Sequence, residues 1–480
     1  MKRKFVTNLA LLLFLNLLVK PFWIFGIDRT VQNVVGAEDY GFYFALFNFS
    51  VILNMFLDLG INNFNNRNIS QNSHLLNKHF SNIIVLKFLL AVLYLVVCML
   101  AGWLTGFSRM ELRFLLFLAF NQFLLSFILY LRSNIAGLHL FKTDSFISVL
   151  DRLLMIVFCG ILLWGNVTQV EFKIKWFVFA QTSAYLLTAI IAFLIVLFYS
   201  GRIKIRFDVG FVIAILKKSY PFAILALLMG SYNRIDSVFL KELLPNGNQQ
   251  AGIYAQAYRI LDAASMFALL FAGLLLPMFS RMIKEKEPIG QLTKLSFVMI
   301  VIPAIIVAAV SIFYRNEIMD LLYHSHVENS ASIFSILMVG FIFISSTYVF
   351  GTLLTANGSL KQLNIMAGFG MFLSILLNLI LIPKYQALGS AMASLITQAF
   401  TAAVQIILVF KVFKLRVNYK LLILLLIFAA GVFLIGTISR DLPYNWMVSL
   451  GVMVIFSVIL AFSIGLVKIK SMYKIIKYDK

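Results

Sequence analysis

Four charged residues lie inside two long apolar segments near the middle of the chain. Arg234 and Asp236 belong to the first segment, and Arg259 and Asp262 belong to the second. Each segment is long enough to cross a bilayer, where a charged side chain is costly unless it faces protein or water. An arginine fork suits phosphate or pyrophosphate, and Arg259 and Asp262, at i and i+3, share a helix face and can pair. Two interpretations stay open: a pyrophosphate site, or an ion-pair network that docks two helices.

A third intramembrane cation, Lys20, lies in the first apolar segment of the chain, just before Pro21. Several residues separate Lys20 from either end of that segment, which favours a cavity-facing amino group over a lysine that reaches the interface. Lys20, Arg234 and Arg259 are therefore the predicted substrate-binding cations. Asp28, Asp236 and Asp262 are the candidates for ion pairing or ion coupling.

Other charged residues lie near the predicted inner ends of the membrane segments. Asp151 and Arg152 are adjacent in the fifth segment, Asp58 follows the second and Lys87 lies in the third. We predict that they are interfacial anchors or gate contacts. No set of His, Cys and carboxylate residues has the spacing of a metal site, so no metal is expected.

Composition places the chain in the membrane. Of its 480 residues 62% are hydrophobic and 12% are charged, and the mean hydropathy is +0.96. A soluble domain is nearer half apolar and a quarter charged. The net charge of +21 does not indicate nucleic acid as a partner, because the basic residues are distributed according to the membrane segments.

Apolar segments of about 20 residues each predict fourteen transmembrane helices. With the N-terminus inside, the cytoplasmic segments hold 26 Lys and Arg residues and the outer loops hold 9. This positive-inside asymmetry predicts cytoplasmic N- and C-termini. After a first helix at the N-terminus, the predicted segments are 38–58, 82–104, 112–131, 146–165, 176–198, 219–240, 252–277, 293–314, 331–355, 363–382, 387–410, 420–438 and 446–467.

The two halves of the chain contain short repeats. An Ile-Asp pair ending at Asp28 recurs 208 residues later at Asp236, and the Gly-x-Tyr of Gly41 recurs 211 residues later at Gly252. Six membrane segments separate the equivalents, so the repeat is parallel, and such lobes usually enclose a substrate path. The predicted domains are a six-helix lobe (1–200), a cytoplasmic amphipathic connector (201–218), a second six-helix lobe (219–410), and two extra helices with a basic cytoplasmic tail (411–480).

Several motifs resemble one transporter family, the polysaccharide-type flippases of the multidrug/oligosaccharidyl-lipid/polysaccharide superfamily. The resemblance covers most of the chain and implies an all-α polytopic membrane protein with the fold of the multidrug transporters of that superfamily. Related lipid II flippases carry an arginine implicated in pyrophosphate binding at the position that Arg259 matches. Their second-helix arginine has no basic match here, where Asn48 stands nearby, and this disfavours lipid II as the substrate. The motifs are FLDLG (56–60), NRID (233–236), AGIYAQAYRILD (251–262) and the run 353–396 with Ile382-Pro383 and Gly389.

The resemblance implies export of a polyprenyl-pyrophosphate-linked oligosaccharide repeat unit for surface polysaccharide synthesis. Transport would proceed by alternating access in a bacterial inner membrane, without a cofactor, and coupling to H⁺ or Na⁺ stays open. Expected partners are the lipid-linked substrate, membrane lipids, and the polymerase and chain-length proteins of the pathway. The alternatives are a drug/cation antiporter of the same fold, which would favour acidic cavity residues, and a membrane-embedded polysaccharide polymerase, an enzyme class that usually has a large outer loop.

Overall fold

The structure, a computed structural model, describes residues 2–62, 65, 69, 76–165, 171–200 and 209–466, and the regular elements in these ranges are helices. This confirms the predicted all-α fold class. In chain order the helices are α1 (Lys2–Phe22), a π-helix (Trp23–Asp28), α2 (Arg29–Ile52), a 3-10 helix (Leu53–Leu57), α3 (Leu76–Leu104), α4 (Arg109–Gly137), α5 (Phe141–Trp164), α6 (Ile174–Ser200), α7 (Val209–Leu243), α8 (Gly247–Lys284), α9 (Gly290–Phe313), α10 (Arg315–Leu322), α11 (Val327–Ala356), α12 (Leu360–Phe413), α13 (Tyr419–Arg440) and α14 (Trp446–Ser463).

Twelve stretches of the described chain are long and apolar enough to cross a membrane. Two of them are double: Leu13–Leu57 has 45 residues and Leu360–Phe413 has 54, and one crossing needs only about 20. Helical backbone geometry breaks inside each, at Gly36 and at Gln386. The described residues therefore accommodate the fourteen crossings that the sequence predicts.

The junction between the first two crossings has unusual backbone geometry. Pro21 lies one residue before the end of α1, and a π-helical turn, Trp23–Asp28, follows at once. Proline removes a backbone donor and disturbs the preceding turn, and π-turns occur mostly as single insertions between α-helical segments. Gly36 then adopts a φ of 81°, which glycine tolerates without a steric penalty. Asp28 is therefore the last residue of a π-helical turn between two α-helices, and this turn positions its carboxylate.

Polar side chains define where several helices begin. At the start of α4, the Ser108 hydroxyl accepts from the Glu111 backbone N–H, and the Ser108 backbone N–H donates to the Glu111 carboxylate. This reciprocal capping box satisfies two backbone donors that would otherwise lack partners. Asn418 and Asn445 cap α13 and α14 through their side-chain oxygens.

The chain divides into two compact units. The first comprises Met1–Ala255 and Asn378–Gln386, and the second comprises Gln256–Leu377 and Ala387–Lys480. The four-part division predicted from the sequence stays a prediction. Of the connector 201–218, residues 201–208 lie outside the described residues, and the rest is helical and continuous with α7. The basic tail after residue 466 also lies outside them.

In the first unit, three helix pairs provide much of the packing: α1 with α5, α2 with α7, and α4 with α6. A buried salt bridge joins the end of the second crossing to α3, because the Lys87 ammonium lies 2.7 Å from Asp58 and 3.0 Å from the Leu57 carbonyl oxygen. Lys87 is almost fully buried. Its charge is therefore matched by a partner, as a buried cation requires.

In the second unit, α9 packs against α11, and the C-terminal pair α13–α14 packs against α9. The core of this contact contains Val298, Ile302, Phe428, Val432 and Met453, all buried. A hydrogen bond of 2.9 Å from the Tyr314 hydroxyl to Ser439 closes one end of the contact. The two extra helices are therefore docked by apolar packing, not attached as a separate domain.

Candidate functional site

The face of α1 that carries Lys20 packs on α5. One turn before Lys20, the Asn16 amide donates a hydrogen bond of 3.0 Å to the Ser148 hydroxyl. The half-buried Lys20 amino group lies within electrostatic range of Arg152, Asp151 and Arg132. Among the described residues it has no hydrogen-bond partner. A half-buried cation beside other cations favours binding of an anion.

Arg152 lies over two aromatic rings. Its guanidinium carbon is 5.6 Å from the Trp23 ring centroid and 5.7 Å from that of Tyr185. Its Nε is 3.7 Å from an Asp151 carboxylate oxygen. Cation–π contacts hold the guanidinium plane in a fixed orientation, and its Nη1 also donates to the Met155 sulfur over 3.5 Å.

Asp151 and Arg152 lie inside α5, beyond its first two turns. The sequence predicts a fifth membrane segment from residue 146, but α5 begins at Phe141 because its polar first turn is also helical. The pair is therefore ten residues, about 15 Å, from the start of the helix. Their predicted location near the inner end of the span and their assignment as gate contacts stay predictions. Arg152 lies near Lys20, so the first half contains two cations in one place.

Asp28 and Asp236 occupy matching, fully buried environments, with exposures of 2% and 1%. The Tyr40 hydroxyl donates to Asp28 over 2.8 and 3.0 Å, and the Gln32 amide donates over 3.1 Å. The Tyr254 hydroxyl donates to Asp236 over 2.7 Å, with a 2.9 Å bond from the Asn378 amide. Buried carboxylates require such donors. Each repeat thus keeps one carboxylate fixed by a tyrosine.

The repeats also meet at a close helix crossing between α2 and the first turns of α8. A Cβ on Gly41 would lie 1.8 Å from the Asn248 carbonyl oxygen, and a Cβ on Gly252 would lie 1.8 Å from that of Ala37. Residues 37 and 41 are each 211 positions from residues 248 and 252. This reciprocity is what a local two-fold axis between equivalent segments produces. The contact confirms the parallel repeat at atomic level.

Arg234 contacts Asn48, which lies 211 positions before Arg259 and is its equivalent in the first repeat. Its Nη1 donates to the Asn48 side-chain oxygen over 3.4 Å, and the Asn48 amide donates to the Ser237 hydroxyl over 2.8 Å. Asn48 is buried and Arg234 is half-buried. The amide is neutral, so this hydrogen bond orients the arginine without cancelling its charge.

Arg259 and Asp262 form the ion pair that their spacing predicts. Arg259 Nη1 lies 3.4 Å from the nearer Asp262 oxygen, and the two side chains are 14% and 19% exposed. Arg234 and Arg259 belong to different compact units, and their joint action on one ligand stays a prediction.

Sequence reasoning missed several partners. The Arg132 guanidinium binds Asp144 over 2.8 and 3.3 Å, although the two residues are 12 apart on different helices. Asn378, the donor to Asp236, is 142 residues away. The i, i+4 spacing of Asp28 and Gln32 was the one local signal that could have indicated a partner.

Comparison with known proteins is consistent with this geometry. The sequence pattern of a family described as polysaccharide biosynthesis protein matches residues 7–283, more than half of the chain. The capsular polysaccharide biosynthesis protein CapF of Staphylococcus aureus is 27% identical over 174 residues, which are 35% of this chain and 43% of that relative. The chain thus aligns with less than half of the length of that curated relative.

Solved transporter structures share the fold. The lipid II flippase MurJ in an inward closed conformation superposes with a TM-score of 0.71 at 15% identity, covering 94% of this chain and 98% of MurJ. An inward-facing multidrug resistance MATE family transporter of the MOP superfamily gives a TM-score of 0.60 at 15% identity, over 80% of this chain and 92% of that one. Likeness at such identities concerns the fold.

Proposed function

Because the chain belongs to the family of polysaccharide biosynthesis proteins, we propose that it flips a polyprenyl-pyrophosphate-linked oligosaccharide repeat unit across the bacterial inner membrane. It is a multi-pass membrane protein with a transporter fold. The proposed direction is from the cytoplasmic to the outer leaflet, by alternating access. MurJ is described as a lipid II flippase, which supports a lipid-linked substrate for this chain.

The observation that carries the proposal is the Lys20–Arg152 pair of cations within the membrane-spanning part of the first unit. An ammonium in a span needs water or an anion to compensate its desolvation. Asp151 is the nearby acid, while Arg132 is already bound to Asp144. A pyrophosphate supplies several oxygen acceptors and more than one negative charge. It therefore fits where a neutral sugar alone would leave the cations uncompensated.

Arg234 and Arg259 are the proposed further ligands of the pyrophosphate. Arg234 donates to the neutral Asn48 amide, and Arg259 forms an ion pair with Asp262. Guanidinium forks bind phosphate oxygens bidentately. A cation-rich site disfavours the alternative of a drug/cation antiporter, because cationic drugs would be repelled from it.

Asp28 and Asp236 are the proposed coupling residues, and the coupling ion is not assigned. Each carboxylate is buried and held by a tyrosine hydroxyl, so a change in its protonation would disturb a hydrogen bond between helical segments. Asp262 is the third candidate. Its neutralisation would release Arg259 from the ion pair.

The proposed orientation places both termini in the cytoplasm, and this rests on the excess of Lys and Arg in one set of connecting segments. The polymerase and chain-length proteins of the pathway are proposed partners on the basis of family membership alone.

The decisive experiment is complementation of a strain that lacks its own repeat-unit flippase. We expect restored surface polysaccharide, together with labelled lipid-linked oligosaccharide that becomes accessible to an impermeant sugar-oxidising reagent at the outer leaflet. The Lys20→Ala variant at equal protein level is the internal control. Polymer restored with no change in sidedness would indicate a polymerase, and export of a cationic dye without sugar flipping would indicate a drug antiporter.

A further inference from the structure

A cavity with charged lining residues lies in the first unit, and Lys20, Arg152 and Arg234 are not among the residues that line it. It has a volume of about 880 Å³ and is formed by the first turns of α4 and α6 and by the part of α2 that follows the break at Gly36. It lies at the end of the unit where α4 and α6 begin, the outer face in the proposed orientation. The charged residues that line it are Glu38, Asp39, Arg109, Glu111, Arg113, Lys173 and Lys175.

The cations of this cavity are available to a ligand. Arg109, Arg113, Lys173 and Lys175 are exposed, and within the described ranges none of them forms an ion pair. Glu111, by contrast, is occupied: its carboxylate caps Ser108 and lies 2.6 Å from the Lys241 ammonium. The free cations therefore outnumber the free acids of the cavity.

The remaining acids, Glu38 and Asp39, are both exposed and follow the backbone break at Gly36 within α2. They partly offset the basic charge and oppose an anionic ligand. Neutralising these acids should therefore strengthen the binding of an anionic ligand, whereas neutralising the cations should weaken it. The two changes together test the sign of the ligand's charge.

The floor of the cavity is aromatic and continues onto an exposed apolar surface. Phe42 and Phe114 pack edge to face with ring centroids 5.1 Å apart, as do Phe117 and Phe179 at 5.5 Å. Phe117 and Phe179 are also exposed, and Met110 beside them is 70% exposed. A soluble phosphate would use the basic rim alone, whereas a ligand with an acyl chain would also cover this apolar surface.

We propose that this cavity binds the phosphate-bearing headgroup of an anionic phospholipid, with an acyl chain along Phe117 and Phe179. The phosphate lies among the guanidinium and ammonium groups of Arg109, Arg113 and Lys173. Charge-assisted bonds to phosphate account for headgroup selection, and basic residues near a membrane surface attract anionic lipid. The proposal is independent of the transported substrate, because binding is measured without transport.

The test measures lipid binding to the purified full-length protein by native mass spectrometry and by protection against thermal aggregation. The probes are phosphatidylglycerol, phosphatidylcholine and inorganic phosphate. We expect binding and protection by phosphatidylglycerol, weak binding of phosphatidylcholine, and no protection by phosphate at equal concentration. Phosphate that protects as well as the lipid would overturn the lipid assignment.

Two charge variants and one control locate the site. Arg109→Gln with Arg113→Gln should weaken phosphatidylglycerol binding at least about tenfold, since each basic residue contributes roughly 1 kcal/mol near an anionic surface. Arg315→Gln with Lys384→Gln, which removes two exposed cations outside the cavity, should leave it unchanged. Equal weakening by both pairs would overturn the proposal, because it would indicate general charge attraction.

The acid-removal variant keeps the proposal testable if the arginine variant does not fold. Glu38→Gln with Asp39→Asn should tighten phosphatidylglycerol binding several-fold, because it removes opposing charge without touching the cations. Unchanged or weaker binding in this folded variant would contradict the proposed position of the headgroup.

Discussion

The close crossing of α2 and α8 leads to a quantitative prediction about Gly41→Ala. The new methyl carbon would lie 1.8 Å from the Asn248 carbonyl oxygen and 2.4 Å from the Gly252 nitrogen, whereas ordinary contact begins at 3.4 Å. The two backbones would therefore separate by about 1.6 Å, since backbone atoms cannot rotate away as side chains do. Overpacking of a close-packed interior costs about 1–3 kcal/mol, and we expect the upper end of that range.

The assay compares detergent-purified variants by the fraction that stays monodisperse after heating. Gly230→Ala is the matched control, because Gly230 lies inside α7 and a Cβ there meets no atom within 4 Å. Alanine is favoured over glycine in a helix by about 1 kcal/mol, so this control should equal or exceed the parent protein in stability. Gly41→Ala should lose monodisperse protein at a clearly lower temperature.

The reciprocal geometry adds a second requirement. Gly252→Ala should destabilise as much as Gly41→Ala, because its Cβ meets the Ala37 backbone at the same distance. The double variant should cost less than the sum of the two, since one separation of the helices relieves both clashes. A Gly41→Ala protein as stable as the parent would refute the close crossing, and strict additivity would refute the shared contact.

The remaining predictions concern the buried charges and the topology. Lys20→Ala should reduce flipping at least about tenfold at a normal protein level, as expected for a lost charge-assisted bond. Lys384→Ala, which removes an exposed lysine outside the candidate site, is the control. Equal loss of folded protein and of flipping would indicate a structural lysine. Arg259→Ala should abolish transport, and adding Asp262→Ala should not restore it, because alanine at position 259 leaves no guanidinium fork for the pyrophosphate. Recovery in the double variant at normal expression would leave Arg259 a structural residue. Reporter fusions within 201–218 should be cytoplasmic, and an outer location there would overturn the span assignment.

Much of the fold was predictable because lipid imposes a simple rule. Each crossing must satisfy its own backbone hydrogen bonds and present apolar side chains, so hydropathy alone indicates the segments. Helix starts were less predictable. At α5, Lys142 and Asp144 read as loop residues, yet they are helical and shift the start to Phe141, because an interfacial turn can carry charge in water.

The partners of the candidate site residues were mostly not predictable. Asp236 accepts hydrogen bonds from Tyr254 and Asn378, which are 18 and 142 residues away in sequence. Asn378 lies in a distant crossing, and its identity as a donor depends on packing that one sequence does not specify. Arg259 and Asp262 were predictable as a pair because i, i+3 neighbours meet within one helix.

The repeat shows how far the role of a residue in one half of the chain predicts the role of its equivalent in the other half. The offset of 211 predicts Tyr43 as the equivalent of Tyr254, and the glycines at the crossing obey this offset. Yet the hydroxyl that binds Asp28 belongs to Tyr40, one turn earlier, while Tyr43 packs edge to face on Phe177 with ring centroids 5.3 Å apart. The first half has three fewer residues between Asp28 and Gly41 than the second half has between Asp236 and Gly252, and a π-helical turn precedes α2. The tyrosine that donates to the carboxylate therefore lies about one helical turn earlier in the first half. Both halves therefore contain a carboxylate that accepts a hydrogen bond from a tyrosine, but the two tyrosines are not at equivalent positions. Only the backbone contact between α2 and α8 keeps the offset of 211.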